Sequence, residues 1–541
     1  MRVPASASAR SVLILLGLLI VARLIGMGLL PLMDTTEARY AEIGRKMLEF
    51  GDWVTPWYDN GLPFWGEPPL SFWHTAASFK LFGVNEFAAR LPNFLCVAVV
   101  VVLTWRLAAR RTRDEALLGA ALLGGSVLFY VSAGAVMTDG ALLLGVMLAM
   151  YGFWVGLHGA QAPRQRERWW LFVGIAIGLL AKGPVALVLI GVPLLAWTLA
   201  RSEAGAAWRA FPWLPGLALV VVLVVPWYAL AEVRTPGFLN YFLAGEHWHR
   251  FVTPGWQGDL YGNAHHVAPG SIWLFAFEAL MPWSVLLPAA AVYGRLKLRN
   301  SPLPQPDHAW QLYLLLWGLT PLLFFSAARN LIWTYVLPGM PALALLGAYR
   351  LMKLPAETRE RLVLGGLFLS LTGAVVFAVH LVGSGWAERE SAKTLVAACE
   401  AHRAPGEPLI YVGVRPHSAA FYSAGRARLV DSVSQLAALL PPQGACVAVK
   451  IDQADALRTV PDTRVDVIGR FGSYELVRLS PTLMPARVPS RKGYRQPMLF
   501  AGEPARLGQT PVNRQGRLGD HSGSVAARRL LAPPGLGVPP S

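Results

Sequence analysis

Long apolar runs are the feature that most restricts how this chain can fold. A segment that crosses a bilayer as a helix needs about 20 mainly apolar residues. About eleven stretches approach that length, near residues 11–31, 88–105, 116–136, 140–159, 169–181, 184–200, 213–231, 271–292, 309–326, 333–352 and 361–383. Only 15% of the residues are charged and 54% are hydrophobic, whereas about a quarter of the residues in soluble proteins are charged. The sequence therefore predicts a polytopic α-helical membrane protein with about eleven or more spans.

Positive charge is concentrated in alternate loops between these runs. Arginine and lysine fill the segments after every second run, near residues 106–113, 164–168, 201–209, 295–299 and 350–361. Because cytoplasmic loops are enriched in basic residues, we expect these loops and the basic N-terminus to be cytoplasmic. The net charge of +16 is spread over these short loops and the C-terminal tail. It does not form the continuous basic face of a nucleic-acid-binding protein.

The remaining loops are then expected to face outward. They are residues 32–87, the turn at 137–139, the turn at Lys182, residues 232–270, the turn at 329–330 and everything after about residue 384. The segments 32–87 and 232–270 are far longer than a turn needs, and they mix acidic residues with His, Trp and Tyr. Any chemistry is therefore expected on the outer side of the membrane.

The first long outer loop opens with a charged helix. Apolar or aromatic side chains recur at helical spacing and end at a glycine: Tyr40, Ile43, Met47, Phe50 and Gly51. This pattern predicts a helix over residues 35–50 that lies in the membrane interface. Asp34 and Glu37 have the spacing of an N-terminal cap and its reciprocal acid. These two acids could serve only as caps, or they could face a substrate.

The same loop resembles one known family. The stretches "DTTEARYAEIGRKM", from residue 34, and "GLPFWGEPPLSFW", from residue 61, are similar to the first outer loop of the aminoarabinose transferase family. The similarity continues through "GLLAKGP", "PWYALAEVRTPGFLNYFLAGEHWHRF" and "FFSAARNLIWTYVLPGMPALALL", and it covers residues 11–350. These are multi-span, GT-C-like glycosyltransferases that take a sugar from a polyprenyl phosphate, and they are distant relatives of the protein O-mannosyltransferases.

The resemblance implies a reaction and a set of residues. A sugar on a lipid phosphate already has a good leaving group. The enzyme then needs a carboxylate to take the proton of the acceptor hydroxyl and cations to hold the phosphate. The resemblance places the proton acceptor at Asp34 or Glu37, with Asp34 favoured. It implies these substrate-binding residues: Tyr40, Glu67, Asp139, Lys182, Arg250 and Arg329.

Two positions depart from the pattern of the family. Relatives usually have an adjacent Asp-Glu pair just before the Arg-Tyr pair, where this chain has Thr36 and Glu37. Many relatives also have a lysine before the paired prolines, where this chain has Glu67. The second departure argues against a phosphate contact at position 67 and leaves a metal or hydroxyl contact open there.

The second long outer loop also contains candidate metal ligands. Carboxylate and imidazole groups cluster at Glu246, His247, His249 and His265, and such groups can bind zinc or a similar ion. Their spacing matches no defined metal motif, and a loop rich in Trp and His at a membrane interface needs no metal. The sequence requires no cofactor and leaves a divalent metal open.

The composition changes at about residue 384, which divides the chain into a transmembrane domain, 1–383, and a soluble-looking remainder. Strand-like and helix-like segments alternate over 384–480 and predict a small periplasmic α/β domain that covers the active site or helps to select the acceptor. Cys399 and Cys446 in this domain could pair in an oxidising compartment or remain buried thiols. Residues 481–541 are rich in Pro, Gly and Arg, which predicts a disordered basic tail.

Together these features predict a glycosyltransferase of the inner membrane that acts on its periplasmic face. It would move aminoarabinose or a hexose from a polyprenyl-phosphate donor to an envelope acceptor such as lipid A. Its partners would be the donor, the acceptor and membrane lipids. An O-mannosyltransferase-like enzyme with a protein acceptor is the first alternative. A transporter or flippase is the second, although transporters commonly place polar groups near the midplane of repeated halves.

Overall fold

Helices make up most of the molecule. A computed structural model describes residues 7–158, 166–262, 265–297 and 307–482. The first helices are α1 (Ala7–Leu29), α2 (Thr36–Phe50), α3 (Leu70–Phe82), α4 (Glu86–Ala109), α5 (Arg113–Gly124), α6 (Val127–Ser132), α7 (Asp139–His158), α8 (Trp169–Lys182), α9 (Val185–Ala200), α10 (Ala204–Ala210) and α11 (Trp213–Arg234). They continue with α12 (Phe238–Asn240), a π-helical segment (Tyr241–His249), α13 (Arg250–Val252), α14 (Ser271–Ala279), α15 (Trp283–Lys297), α16 (His308–Ser326), a 3-10 segment (Trp333–Gly339), α17 (Met340–Leu351) and α18 (Ala356–Gly383).

Several of these helices are long and apolar enough to cross a membrane. In the described residues six meet that test, namely α1, α4, α7, α11, α16 and α18. A seventh span results if α14 and α15, which are bent by 83° at the break between them, are taken together. The polytopic helical architecture expected from the apolar runs is therefore present.

The other predicted spans are built from shorter or broken helices. The run at 116–136 is divided between α5 and α6, and the run at 333–352 begins as the 3-10 segment and continues as α17. The runs on either side of Lys182 form α8 and α9, with 14 and 16 residues. The count of about eleven spans thus remains a prediction.

The turn between α8 and α9 has a specific backbone requirement. Gly183 has a φ of +79°, in the left-handed region that a residue with a Cβ rarely adopts. An added Cβ would also lie 2.6 Å from the ring of Phe242 and 3.2 Å from the ring of His247. The sequence Lys182-Gly183-Pro184 therefore breaks the apolar run and holds the end of α8 closely against the π-helical segment.

Small residues allow α7 to pack at the centre of the bundle. An added Cβ on Gly174 of α8 would lie 2.4 Å from the carbonyl oxygen of Gly145 on α7, so the two backbones touch. Close approach through glycine is typical of helix pairs inside membranes. By contrast, α1 and α18 bury few of their residues and expose apolar side chains such as Ile14, Leu29, Phe368 and Val382. These two helices present the surface expected to contact lipid.

The residues after α18 form an α/β arrangement. It contains α19 (Trp386–Arg389), α20 (Lys393–His402), α21 (His417–Tyr422), α22 (Val433–Leu439) and a 3-10 segment (Ile451–Thr459). After a short hairpin in the first loop, β1 (Trp57–Asp59) and β2 (Leu62–Pro63), the strands are β3 (Leu409–Val412), β4 (Arg428–Val430), β5 (Ala445–Lys450), β6 (Thr463–Phe471) and β7 (Tyr474–Pro481). The last five form one sheet in the order β4-β3-β5-β7-β6, with β3 parallel to β4 and β5 and with β7 antiparallel to β5 and β6.

Alternate residues of the central strands pack on opposite faces of this sheet. Tyr411 and Ala448 join α20 on one face, whereas Ile410 and Val447 join α22 on the other. Cys399 and Cys446 are buried free thiols, with the Cys446 sulfur 3.7 Å from the Cys399 carbonyl oxygen. The predicted tail, beyond its first two residues, lies outside the described part of the chain.

The charged helix of the first loop is covered on more than one side. α2 packs against α3 and against α21, and its charged residues Glu42, Arg45 and Lys46 are buried. Arg45 contacts Glu42 at 2.6 Å, and Lys46 contacts Asp59 at 3.1 Å. The predicted helix is present, and its charged face is buried because the hairpin and the C-terminal part of the chain cover it; its position in the membrane interface stays a prediction.

Candidate active site

A cleft of about 600 Å³ lies where the predicted outer loops meet. Its wall draws residues from the first loop, the start of α7, the end of α8, the segment 246–265, the segment 324–338 and α21. The charged residues on the wall are Arg39, Glu67, Asp139, Lys182, Glu246, Arg250 and Asp259. Apolar residues such as Leu142, Val188 and Phe325 fill the space between them. The cleft therefore has both apolar residues and a few charged groups in its lining, as small-molecule sites do.

Lys182 is the centre of the first charged cluster. Its ammonium nitrogen lies 2.9 Å from Asp139 Oδ1 and 3.4 Å from Glu67 Oε1. It also donates to the Thr138 hydroxyl at 3.2 Å, and it lies 5.7 Å from the centre of the Tyr335 ring. The end of α8 supplies the lysine and the start of α7 supplies the aspartate. Two helix ends that point into one cleft thus form a compact ion cluster.

Glu67 is a member of this cluster with a pKa near neutrality. Burial raises the pKa of the Glu67 carboxyl to about 7, and the nearby carboxylates of Asp139 and Glu246 raise it as well, while Lys182 opposes the change. The side chain keeps 13% of its surface exposed. It accepts a hydrogen bond from Thr138 at 3.3 Å. A carboxyl group with a pKa near neutrality can both accept and release a proton.

Arg250 forms the second charged cluster. Its guanidinium lies 2.7 Å from Glu246 and 3.3 Å from Asp259. The Tyr241 hydroxyl donates to the other oxygen of Glu246 at 2.8 Å. The pKa of Arg250 is raised because the attraction of these carboxylates outweighs its burial. Arg250 therefore stays protonated on the cleft wall, in contact with two carboxylates.

The two predicted proton acceptors do not line the cleft in the described structure. Both oxygens of Asp34 accept from Ser418, one from its backbone N–H at 3.0 Å and the other from its hydroxyl. Burial raises the pKa of Asp34 above its usual value. The N-cap of α2 is Thr35, and its side chain makes no capping bond. The prediction that Asp34 caps the N-terminus of α2 is therefore wrong, because Asp34 binds Ser418 in α21 instead.

Glu37 is engaged inside the protein. It pairs with Arg90 at 2.7 Å and accepts from the backbone N–H of Val136 at 3.1 Å. Arg90 also donates to the carbonyls of Met27, in the last turn of α1, and of Leu30 and Pro31, just after that helix. Glu37 thus joins α2 to α1 and α4, and it does not act as the reciprocal cap that its spacing predicts.

The predicted substrate-binding residues are mostly brought together. Tyr40, Glu67, Asp139, Lys182 and Arg250 all line the cleft. Arg329 differs, because its neighbours Ala328 and Asn330 line the cleft whereas its own side chain does not. Its backbone instead pairs with Phe251 and Val267. Arg329 is therefore placed behind the wall and not on it.

The candidate metal ligands do not form a metal site. Among the described residues no group of three or more His, Cys, Asp or Glu side chains comes together as a ligand set. His247 faces the carbonyl oxygens of Phe242 and Lys182, at 2.8 and 3.1 Å, with its two ring nitrogens. Neither nitrogen then presents a lone pair to the cleft. Glu246 is held by Arg250, and His249 lies off the cleft wall.

Several cleft residues were not anticipated from the sequence. Tyr335, Asp259, Tyr261 and Arg39 belong to segments already noted as outer loops or as similar to the family, yet no spacing marks them individually. His417 comes from α21, and burial lowers the pKa of its imidazole to about 4, so it is neutral at pH 7. Its ring nitrogen lies 3.4 Å from the Tyr58 hydroxyl. The sequence predicted that this part of the chain would cover the site, but no pattern marked His417 itself.

Comparisons with known proteins agree with the resemblance found in the first loop. Residues 12–242 match the family model for dolichyl-phosphate-mannose-protein mannosyltransferase. An undecaprenyl phosphate-α-4-amino-4-deoxy-L-arabinose arabinosyl transferase of Erwinia tasmaniensis is 31% identical over 371 residues, which are 67% of this chain and 63% of that protein. A Pseudomonas fluorescens protein of the same description is 31% identical over 65% of this chain and 61% of its own length. The chain thus spans less than two thirds of these relatives.

A solved structure extends the comparison to the fold. The crystal structure of ArnT from Cupriavidus metallidurans bound to undecaprenyl phosphate superposes with a TM-score of 0.73, at 20% identity. The match covers 87% of this chain and 98% of ArnT. At that identity it establishes a shared fold. By sequence and by fold, the chain is thus related to the aminoarabinose transferases and, through the family model, to the protein O-mannosyltransferases.

Proposed function

We propose that this protein is a membrane glycosyltransferase that takes a sugar from a polyprenyl-phosphate donor. The observation that carries the proposal is the pair of cations, Lys182 and Arg250, on the wall of one cleft that also contains apolar residues such as Leu142, Val188 and Phe325. A lipid phosphate has these two properties in one molecule, an anionic head and a hydrophobic tail. The related ArnT was solved with undecaprenyl phosphate, which supports the same class of donor here.

Each cleft residue then has a proposed role. Lys182 and Arg250 hold the phosphate, since charge-assisted hydrogen bonds to phosphate are strong. Tyr40 and Asp139 line the space for the sugar. Arg329 would contribute only if its side chain turned toward the cleft. Asp34 and Glu37, the proton acceptors suggested by the resemblance, would first have to leave Ser418 and Arg90.

The proposed setting is the inner membrane, with about eleven or more spans, a cytoplasmic N-terminus and the cleft on the periplasmic face. The positive charges of alternate loops support this orientation. Residues 1–383 are proposed as the catalytic transmembrane domain, and 384–480 as a periplasmic domain that covers the cleft. The contribution of His417 to the cleft wall supports that covering role. The tail, 481–541, is proposed to be disordered.

The proposed sugar is aminoarabinose or a hexose, and the proposed acceptor is an envelope molecule such as lipid A. A protein acceptor is the alternative that the mannosyltransferase family model favours. A transporter is less well supported, because the charged groups gather at helix ends and in loops.

Donor consumption by the purified full-length protein in detergent tests the proposal. Undecaprenyl phosphate carrying labelled 4-amino-4-deoxy-L-arabinose, or labelled mannose, would be incubated with envelope lipids and with periplasmic protein as acceptors. We expect label to move to an acceptor with release of undecaprenyl phosphate. A transporter has no transmembrane gradient to act on in detergent, so binding without any transfer would favour the transporter.

A further inference from the structure

The cleft contains more carboxylates than phosphate binding needs. Four line its wall, Glu67, Asp139, Glu246 and Asp259, against three cations, Arg39, Lys182 and Arg250. If the cleft only held an anionic donor, this excess of negative charge would weaken binding. At least one carboxylate is therefore expected to have a role other than charge balance.

Two of the four carboxylates are committed to short ionic contacts, and a third is held by a backbone hydrogen bond. Asp139 lies 2.9 Å from Lys182, and Glu246 lies 2.7 Å from Arg250. Asp259 accepts from the Tyr261 backbone N–H at 2.9 Å and lies 3.3 Å from Arg250. A carboxylate held in this way is a poor proton acceptor, because the neighbouring cation stabilises its ionised form.

Glu67 has looser contacts. Its nearest cation is Lys182 at 3.4 Å, and that cation lies closer to Asp139. Its other hydrogen bond is from the neutral Thr138 hydroxyl at 3.3 Å. The group also keeps part of its surface open to the cleft. Among the four, Glu67 is the carboxylate that is most free to exchange a proton with a bound molecule.

We infer that Glu67 takes the proton from a hydroxyl group of the acceptor during the proposed glycosyl transfer. The acceptor oxygen gives an electron pair to the anomeric carbon of the sugar, and its proton passes to Glu67. The bond between the anomeric carbon and the phosphate oxygen breaks, and its electron pair leaves with the polyprenyl phosphate. That phosphate is received beside Lys182 and Arg250. The inference rests on the proposed function.

This assignment also selects the chemical class of the acceptor. A phosphate monoester is largely ionised at neutral pH, with a second pKa of about 6, so it could attack without a base. It would also bring a second anion into a cleft where Lys182 and Arg250 each already contact two carboxylates. A hydroxyl is neutral and needs a proton acceptor. The arrangement therefore fits a hydroxyl acceptor, such as the hydroxyl of a glycan, and not a phosphate.

The activity of the wild-type protein should then depend on pH in one direction. Burial holds the pKa of Glu67 at about 7. Because a base must be ionised to accept a proton, kcat/KM should fall as the pH is lowered through that value and should level off above it. Glu67→Gln should remove this fall in kcat/KM at low pH, the acidic limb of the pH profile. It should also lower kcat by about 100-fold or more, the usual contribution of a general base.

A matched control separates this role from a structural one. Glu49 lies in the same loop, half exposed and off the cleft wall, and it pairs with Arg45 at 2.8 Å. Glu49→Gln should keep the wild-type rate and pH profile. The affinity for undecaprenyl phosphate and the melting temperature of Glu67→Gln should stay close to those of the wild type. If Glu67→Gln keeps both its kcat and its acidic limb, the inference is overturned.

The linkage of the product gives a test that requires no variant. The wild-type protein would be incubated with the labelled donors and with two acceptors, lipid A and dephosphorylated lipid A. Sugars attached to a hydroxyl survive mild acid, whereas sugars attached to a phosphate are released. Acid-stable label, on either lipid or on a protein, supports the inference. Acid-labile label on lipid A alone overturns it and leaves the proposed glycosyltransferase intact. If no donor is consumed with any acceptor, the proposed function fails and the inference fails with it.

Discussion

Lys182 connects the charged groups of the cleft. It contacts Asp139, Glu67 and Thr138, and the ring of Tyr335 lies beside it. The lysine is the last residue of the apolar helix α8 and precedes Gly183, which has a positive φ. The side chain is therefore held at a helix end, with its charge directed into the cleft. In an apolar setting, such a charge is stable only because its carboxylate partners are within contact distance.

Replacing Lys182 by Ala should change both binding and stability. The variant would lose the proposed phosphate contact, and it leaves Asp139 and Glu67 without the cation that lies between them. Breaking a buried pair typically costs about 3–5 kcal/mol, and here the cost should be at the lower end because the carboxyl groups can protonate. We expect weaker binding of undecaprenyl phosphate and a lower melting temperature.

Arg329→Ala provides the comparison for Lys182→Ala, because the Arg329 side chain lies off the cleft wall. It should leave binding of undecaprenyl phosphate nearly unchanged. Equal losses of affinity in the two variants would mean that Arg329 turns into the cleft when the donor binds, and would restore its predicted role.

At the scale of elements, α2 of the first loop and α21 of the C-terminal part pack together beside the cleft. α2 is covered by α21, and the contacts between the two parts of the chain are polar as well as apolar. Asp34 accepts from Ser418, and Asp59 of the hairpin pairs with Arg415 at 2.6 Å. Phe421 of α21 packs in the same cluster as Ala38 and Ile43 of α2. The C-terminal part is thus fixed to the loop helix at the side of the cleft.

Two substitutions test whether Asp34 positions α21 or takes a proton. If it positions α21, Asp34→Asn and Ser418→Ala should each lower stability by about 1–2 kcal/mol. Both should lower activity, and the double variant should be little worse than Asp34→Asn alone, because the Ser418 hydroxyl acts through Asp34. If Asp34 is the base, Asn at position 34 should abolish transfer while Ser418→Ala stays active. Thermal unfolding and donor turnover of the three variants would separate these outcomes.

At the scale of the whole molecule, the apolar exterior and the position of the cleft indicate how the protein sits in a membrane. α1, α11 and α18 expose rows of Leu, Ile, Val and Phe that water would not favour. Loops with clusters of basic residues alternate along the chain with loops that have none. The loops that line the cleft are those without basic clusters. All cleft segments are thus expected on the side opposite the cytoplasm.

Labelling of intact cells with a membrane-impermeant thiol reagent tests this orientation. The native cysteines Cys96, Cys399 and Cys446 are buried, so their background should be low. Asp455→Cys, at an exposed position in the C-terminal part, should be labelled from outside. Arg166→Cys, in a basic loop, should be labelled only after the membrane is opened. Labelling of position 166 in intact cells would contradict the topology.

Short-range patterns and the resemblance to one family were enough to predict the helical membrane architecture and five of the seven charged cleft residues, Glu67, Asp139, Lys182, Glu246 and Arg250. Apolar runs of bilayer length specify helices, and a lysine before Gly-Pro at the end of such a run specifies a charged helix end. Tyr40, Glu67, Asp139 and Arg250 stood in stretches that resemble one family. The five strand segments after residue 408 followed from their apolar, β-branched composition and coincide with β3–β7.

Contacts between distant segments fix which carboxylates face the cleft. Asp34 binds Ser418, 384 positions away, and Glu37 binds Arg90, 53 positions away. Helical spacing explained both acids as caps, yet neither caps α2, because the better donors come from distant segments. A buried charge pairs with the oppositely charged or hydrogen-bonding group that the fold brings within about 3–4 Å. That proximity has no periodicity in the chain, so local patterns can identify a charged residue without revealing what it contacts.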